Sequence, residues 1–216
     1  MVSENQGFWK GAAYWDSRYR EGNTPWQMSG PSSTLISLLS EASLSCGATV
    51  LVPGCGTGAD ALYFAHQGFQ VSAVDFSKTA VDDLRVQARR CEVPLEVLRS
   101  DFFDIPSTWN QTFDLVVEHT FFCAIDPKDR ENYVSRVKEL LKPQGLWIGA
   151  LFLTNEKELY AAPLFMERNG PPFLTSVDVF KKLFSNDFEM KKLEMSQAAH
   201  PKRQGNEWAA LLQLKK

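Results

Sequence analysis

The sequence predicts an α/β protein: a doubly wound, Rossmann-like sheet of seven mostly parallel strands with the last strand antiparallel. Three observations carry this. From Ala48 onward, short β-rich runs alternate with segments of helical periodicity, the order that builds a parallel sheet covered by helices. The runs are continuously apolar instead of alternating, as strands buried on both faces are. The first run ends in a glycine cluster and passes into a helix, the place where open α/β sheets bind their ligands.

Residues 8–26 are dense in aromatics: Phe8, Trp9, Tyr14, Trp15, Tyr19 and Trp26. Trp15 and Tyr19 stand four apart and share a face if that stretch is helical. Gly30-Pro31 reads as a break, and Leu35, Leu38, Leu39 and Ala42 then recur at helical spacing. TVLVP (49–53) is the first strand, and Asp60–His66 the helix after it. FQVSAVD (69–75), LEVLRSD (95–101), FDLVVEH (113–119) and GLWIGALF (145–152) are strands two to five. Helices over Ala80–Arg90 and Arg130–Leu141 lie between them, and Val177–Phe184 is a further helix. Phe188–Met195 and Trp208–Leu214 close the chain as strands joined by a polar loop with no crossover helix, so this pair is antiparallel.

The chain of 216 residues is expected to form one domain, residues 1–216, large enough to fold without disulfide or metal. Residues 1–45 read as a helical cap and 154–172 as a lid. A net charge of −3, with no basic block longer than two residues, argues against nucleic acid as the main partner. The longest apolar run, Leu146–Leu153, is far below the ~20 residues of a spanning helix, and the amino terminus lacks the pattern of a secretory signal. Cys46, Cys55, Cys91 and Cys123 are too widely spaced for a zinc knuckle and read as buried free thiols of a cytoplasmic protein. No metal site is expected, and no helical seam suggests an obligate partner, so a monomer is expected.

The chemistry-bearing residues fall at strand ends. Strand one runs into Gly54-Cys55-Gly56-Thr57-Gly58, where glycines let the backbone turn sharply and approach a ligand. Asp75 ends strand two, where a carboxylate can accept both hydroxyls of a ribose. Asp101 ends strand three, placed to bond an exocyclic amine of adenine, and Phe102 beside it can pack on the ring. A nicotinamide oxidoreductase also uses a glycine loop and an acid at Asp75, but it leaves Asp101 and the helix-to-strand turn LLKPQG (140–145) unexplained.

With LVPGCGTG (51–58), VDFS (74–77), RSDFFD (99–104) and LLKPQG in that order, the sequence resembles the class I S-adenosylmethionine-dependent methyltransferases. EGNTPW (21–26), VPGCGTGAD (52–60) and FFCAIDPKDR (121–130) make it similar to the thiopurine methyltransferase superfamily, and within that to its thiol and halide methyltransferase branch. The resemblance implies S-adenosyl-L-methionine as cofactor, with S-adenosyl-L-homocysteine as product. It implies that Gly54, Asp75 and Asp101 hold loop, ribose and adenine, and that Trp15 and Trp26 wrap the cofactor. Tyr19 stands where plant-type members have a second tryptophan, and His119 where they have a tyrosine. The aromatic group also has a physical rationale, because Trp and Tyr faces stabilise a desolvated cation such as a sulfonium by about 2 kcal/mol.

The same resemblance implies methyl transfer to a small-molecule nucleophile: halide, thiocyanate, hydrosulfide or thiol. Such a displacement needs collinear placement and exclusion of water, and an anionic nucleophile needs no base. Arg130 matches an arginine that thiopurine-type members place near the substrate, while Phe122, Cys123 and Phe152 are expected to wall the acceptor pocket. Phe152 replaces an expected tyrosine. The 154–172 segment is longer than its counterpart, and a lid helix is expected over Leu159–Met166. A thiopurine-type enzyme for larger aromatic thiols and a non-catalytic cofactor-binding protein are the alternatives.

Overall fold

The computed structural model describes residues 11–155 and 170–216. The expected aromatics Phe8 and Trp9 and the expected lid helix over Leu159–Met166 lie outside those residues. The helices are α1 (Ala12–Arg20), α2 (Ser33–Ala42), α3 (Ala59–His66), α4 (Lys78–Arg90), α5 (Arg130–Leu140) and α6 (Val177–Phe184). The strands are β1 (Thr49–Pro53), β2 (Gln70–Asp75), β3 (Leu95–Arg99), β4 (Phe113–His119), β5 (Leu141–Leu151), β6 (Leu153–Thr154), β7 (Thr175–Ser176), β8 (Phe188–Met195) and β9 (Trp208–Leu214).

Seven strands form one sheet in the order β3-β2-β1-β4-β5-β9-β8. The strands from β3 to β5 pair in parallel, while β9 runs antiparallel to both β5 and β8. The final strand is antiparallel, as its short polar connection predicts. The chain leaves β1 for β2 and β3, then returns to place β4 on the other side of β1. The carboxyl ends of β1 and β4 therefore flank the switch point, where neighbouring loops diverge and leave a crevice.

Side chains alternate between the two faces of the sheet at the strand period. Val50 and Val52 of β1, with Leu115 and Val117 of β4, pack with Leu35 and Leu38 of α2 and Phe64 of α3. Leu51 and Val116 point the other way, into a core with Tyr133 and Val137 of α5 and Phe180 and Phe184 of α6. Trp147 of β5 lies fully buried in that second core, its ring centroid 5.2 Å from that of Phe184. Both faces of the central strands are thus dry, which is why β1 and β4 read as nearly continuous apolar runs. The edge strands β3 and β8 are partly exposed.

Element ends depart from the sequence reading where caps and pairing decide. α4 begins at Lys78, two residues before the expected start, because the Ser77 hydroxyl accepts the Ala80 N–H and caps the helix. β5 begins at Leu141 instead of Gly145, since Leu141 pairs with Phe113 across a register shift. The short parallel pair β6–β7 was not expected. Cys46 and Cys91 are exposed, contrary to expectation, because they sit in the turns before β1 and after α4; all four cysteines are free thiols. Among the described residues no helix is long and apolar enough to cross a membrane.

Candidate active site

The loop after β1 is shaped by close approach. Gly54 has φ +57° and Gly56 φ +54°, a region that side chains with a Cβ rarely enter. A Cβ on Gly54 would lie 2.4 Å from the Phe121 ring, and one on Gly56 would lie 2.7 Å from the Tyr19 hydroxyl. Asp75, the last residue of β2, locks this loop: its Oδ2 accepts the Gly56 N–H at 2.9 Å and its Oδ1 the Ser77 N–H at 2.8 Å. The residue is only 7% exposed, yet it lines the cavity above the loop. Burial raises its pKa, against the lowering effect of the backbone N–H groups. A carboxylate offers about four acceptor positions, so acceptor capacity remains for a ligand hydroxyl.

Along the same edge, Asp101 accepts the Phe103 N–H at 3.0 Å and caps a short helical turn over Phe102–Asp104. The Phe102 ring lies edge-on to Phe121, 5.6 Å between centroids, and both line the cavity with Asp101. The opposite rim is aromatic. Trp15 and Tyr19 of α1 meet Trp26 edge-on at 5.3 and 5.8 Å, and Trp26 Nε1 donates to the Tyr19 hydroxyl at 3.3 Å. Gln27 then donates to the Thr57 hydroxyl of the glycine loop at 2.6 Å. Residues 15–27 are thereby held beside the glycine loop.

Past the switch point the cavity, about 1240 Å³ in all, is walled by Phe121, Cys123, Phe152, Phe173 and Trp208. Burial pushes the Cys123 thiol up to about 12, so it stays neutral. A polar chain crosses this end. His119 Nδ1 lies 2.6 Å from Asp60 Oδ2, and its Nε2 faces Arg203 Nη1. Arg203 also donates to Glu207 at 3.0 Å and to the Trp26 carbonyl at 2.8 Å, and stacks over Phe152 at 5.2 Å. Glu207 in turn accepts the Thr34 hydroxyl at 2.6 Å.

The wall formed by residues 120–125 hangs from Glu118. This fully buried carboxylate accepts the N–H groups of Phe121 and Phe122 at 2.8 and 2.7 Å, and the Tyr133 hydroxyl at 3.1 Å. Trp147 Nε1 supports Tyr133 from behind at 3.1 Å. Burial drives the Glu118 pKa up to about 7, although each of the two backbone donors lowers it.

A glycine loop, a buried Asp with its carboxylate at the cavity and an aromatic rim thus meet at one edge of the sheet. The family model for thiopurine S-methyltransferase matches residues 11–214. The chain belongs to the thiopurine S-methyltransferase family. It is 34% identical to a probable thiol methyltransferase 2 of Arabidopsis thaliana, over 96% of this chain and 85% of that protein. It is 30% identical to thiocyanate methyltransferase 1 of the same plant, over 89% and 81%. A Burkholderia thailandensis 1,6-didemethyltoxoflavin-N1-methyltransferase, solved with that compound and S-adenosylhomocysteine, shares the fold at TM-score 0.75. Its sequence is 18% identical, with 95% of this chain and 87% of that chain covered.

As a member of the thiopurine S-methyltransferase family, the protein is an S-adenosylmethionine-dependent methyltransferase. The cavity fits that cofactor: Asp75, a carboxylate able to accept hydroxyls, and the backbone of the loop from Gly54 to Gly58 line it. Trp15, Tyr19, Trp26, Gly54, Asp75, Asp101, Phe102 and His119 all line this one cavity, and so do Cys123 and Phe152.

Two expected acceptor residues are placed elsewhere. Phe122 is buried in the core against Tyr133 and Phe180, because the turn over Phe122–Ala124 directs its neighbours Phe121 and Cys123 to the cavity instead. Arg130, 3% exposed, lies behind the wall, stacked over Phe122 at 4.9 Å and donating to the Phe173 carbonyl at 3.0 Å. Desolvation lowers its pKa to about 10. Among the described residues, the guanidinium groups that line the cavity belong to Arg18 and Arg203. Sequence reasoning missed Arg203, which lies in the polar loop before β9 with no motif around it. It missed Asp60 as well, although an acid in the first turn of the helix after the glycine loop was a signal to follow.

Proposed function

We propose that the protein transfers the methyl group of S-adenosylmethionine to a small sulfur nucleophile or halide, as a cytoplasmic monomer. The observation that supports this most is the acceptor end of the cavity: apolar walls of Phe121, Cys123, Phe152 and Phe173 beside one fixed guanidinium, Arg203. An anion entering there loses water to apolar surface and gains one cation, as a soft, weakly hydrated nucleophile tolerates. The names of the two plant relatives, thiol and thiocyanate methyltransferase, favour the same class.

When bound, the cofactor supplies an electrophilic methyl group on a sulfonium sulfur. The chain's part is placement. Asp75, Asp101 and the glycine loop hold the nucleoside, and Trp15, Tyr19 and Trp26 offer faces to the positive charge. Arg203 orients the nucleophile, and the walls exclude water. The match to the thiopurine S-methyltransferase family model favours as a second reading a larger aromatic thiol of the thiopurine type.

The test is methyl transfer to iodide, thiocyanate, hydrosulfide, thiophenol and a mercaptopurine, with volatile products read in the headspace. Methyl iodide, methyl thiocyanate or methanethiol supports the first reading. Turnover of the mercaptopurine alone replaces it with the second, and cofactor binding without any turnover rejects both. Light scattering at working concentration checks the monomer.

A further inference from the structure

The Asp60–His119 pair has no task in the placement of a sulfonium or of an anion that arrives already charged. Its geometry defines a proton state. Arginine has donors only, so the His119 Nε2 that faces Arg203 carries a lone pair. The proton of the neutral ring is then on Nδ1, which donates to Asp60 Oδ2 at 2.6 Å. A carboxylate in that position holds the ring's orientation and stabilises the imidazolium that forms when Nε2 takes a proton.

The location is suited to such a step. His119 ends β4, on the far side of β1 from Asp75 of β2 and Asp101 after β3. With the nucleoside held over β2 and β3, the reacting end of the cavity lies toward β4 and β5, where His119, Cys123 and Phe152 line it. Asp60 is fixed from a second side, since its Oδ1 accepts the Ser32 N–H at 2.8 Å.

We infer that His119, oriented by Asp60, is the proton acceptor for neutral thiol substrates, so that this chain methylates thiols at pH values where they are not yet ionised. This rests on the methyl-transfer reading above and adds a residue role to it. A thiol of pKa ~8.5 is only a few per cent thiolate at neutral pH, whereas halide and thiocyanate need no base. In the step, the S–H bond breaks and its proton passes to His119 Nε2. The sulfur lone pair forms the new bond to the donor's methyl carbon, whose bond to the sulfonium sulfur breaks with its electron pair, leaving a neutral thioether. The imidazolium then returns its proton to water. A thiol donating to Nε2 displaces one hydrogen bond of Arg203 and leaves those to Glu207 and the Trp26 carbonyl, so the guanidinium stays beside the developing charge.

The charged and titratable groups around the ring are Asp60 on α3, Arg203 and Glu207 before β9, and Glu118 on its own strand. His200, Lys202 and Cys123 line the same cavity.

The experiment compares the wild type with His119→Gln and Asp60→Asn on two acceptors, thiocyanate and 2-mercaptoethanol, from pH 6 to about 10 where the free thiol ionises. At pH 7 the His119→Gln change is expected to lower kcat for the thiol by about 100-fold, the low end for loss of a general base. The thiocyanate rate is expected to fall far less, so that the thiol-to-thiocyanate rate ratio drops by at least about tenfold, and the thiol deficit to shrink as the pH rises toward the thiol's own pKa. Asp60→Asn should show the same acceptor dependence with a smaller loss. Equal losses on both acceptors, or a thiol deficit unchanged by pH, would overturn the proposal and leave methyl transfer intact. A wild type that methylates neither acceptor removes the underlying reading and the proposal with it. Nitrogen-15 spectra of labelled histidine give a readout apart from activity: the expected tautomer has Nδ1 protonated and Nε2 bare, and the reverse tautomer overturns the assignment.

Discussion

The Asp16 carboxylate accepts the Thr79 backbone N–H at 2.8 Å, tying the helix that carries Trp15 and Tyr19 to the first turn of α4. The Ser77 hydroxyl donates to the same oxygen at 2.9 Å, and together these bonds hold the Asp16 pKa below its ordinary value. The helix that carries two of the rim's aromatics is therefore held to the start of α4 through one side chain. Asp16→Ala is expected to lose about 1 kcal/mol, as loss of a helix cap does, and to weaken S-adenosylmethionine binding by about threefold to tenfold. Calorimetric titration of the cofactor checks it, and an unchanged affinity would mean that α1 does not form part of the cofactor site.

Asp75 has the larger role. Asp75→Ala removes the acceptor for two backbone N–H groups of the loop as well as for ligand hydroxyls. Cofactor affinity is expected to fall by about 1–3 kcal/mol, with a lower melting temperature even without ligand. A variant that binds S-adenosylhomocysteine as the wild type does would reject the ribose assignment.

The contact between Gly56 and Tyr19 permits a double-mutant cycle. Gly56→Ala meets both an unfavourable φ and the Tyr19 hydroxyl, whereas Gly56→Ala with Tyr19→Phe meets the φ alone. The double variant should bind the cofactor better than the single Gly56→Ala protein, reversing the usual addition of two losses. Strict additivity would mean that the hydroxyl and the loop do not touch in solution.

Glu118 predicts a pH dependence of stability. Its folded pKa of about 7 lies above the ordinary 4.5. The folded protein thus holds a proton that the unfolded chain has released. The stability from this group is full below about 4.5 and is lost as the pH rises through about 7. Glu118→Gln abolishes the titration, so the melting-temperature gap between wild type and variant should narrow from pH 5 to pH 8. A constant gap would sink the assignment.

Much of the fold was legible because its signals are local or periodic. Val50, Leu51 and Val52 announce a strand buried on both faces whatever surrounds them, and the glycines at 54, 56 and 58 mark a loop that backbone sterics alone demand. The expected strand ends placed Asp75, the last residue of β2, and Asp101 and Phe102, which lie two and three residues past β3 because that strand stops at Arg99. Arg130 and Phe122 were misplaced for the opposite reason. One turn of helix decides which of Phe121, Phe122 and Cys123 faces the cavity, and a spacing of one residue carries no signal about that choice.

The amino-acid order was enough to specify the alternation of strand and helix, the antiparallel last strand and the glycine loop, because each depends on neighbours within a few residues or on a period. The cofactor class followed from the resemblance of these motifs to a known family. The acceptor end was decided only by tertiary structure. Asp60 and His119 are 59 residues apart, His119 and Arg203 are 84, and Arg203 reaches the Trp26 carbonyl across 177. Those groups meet because the sheet winds outward from β1 in both directions and brings distant loops to one edge. Hydrogen-bond direction between side chains so far separated in sequence is a property of the folded geometry, and no local pattern encodes it.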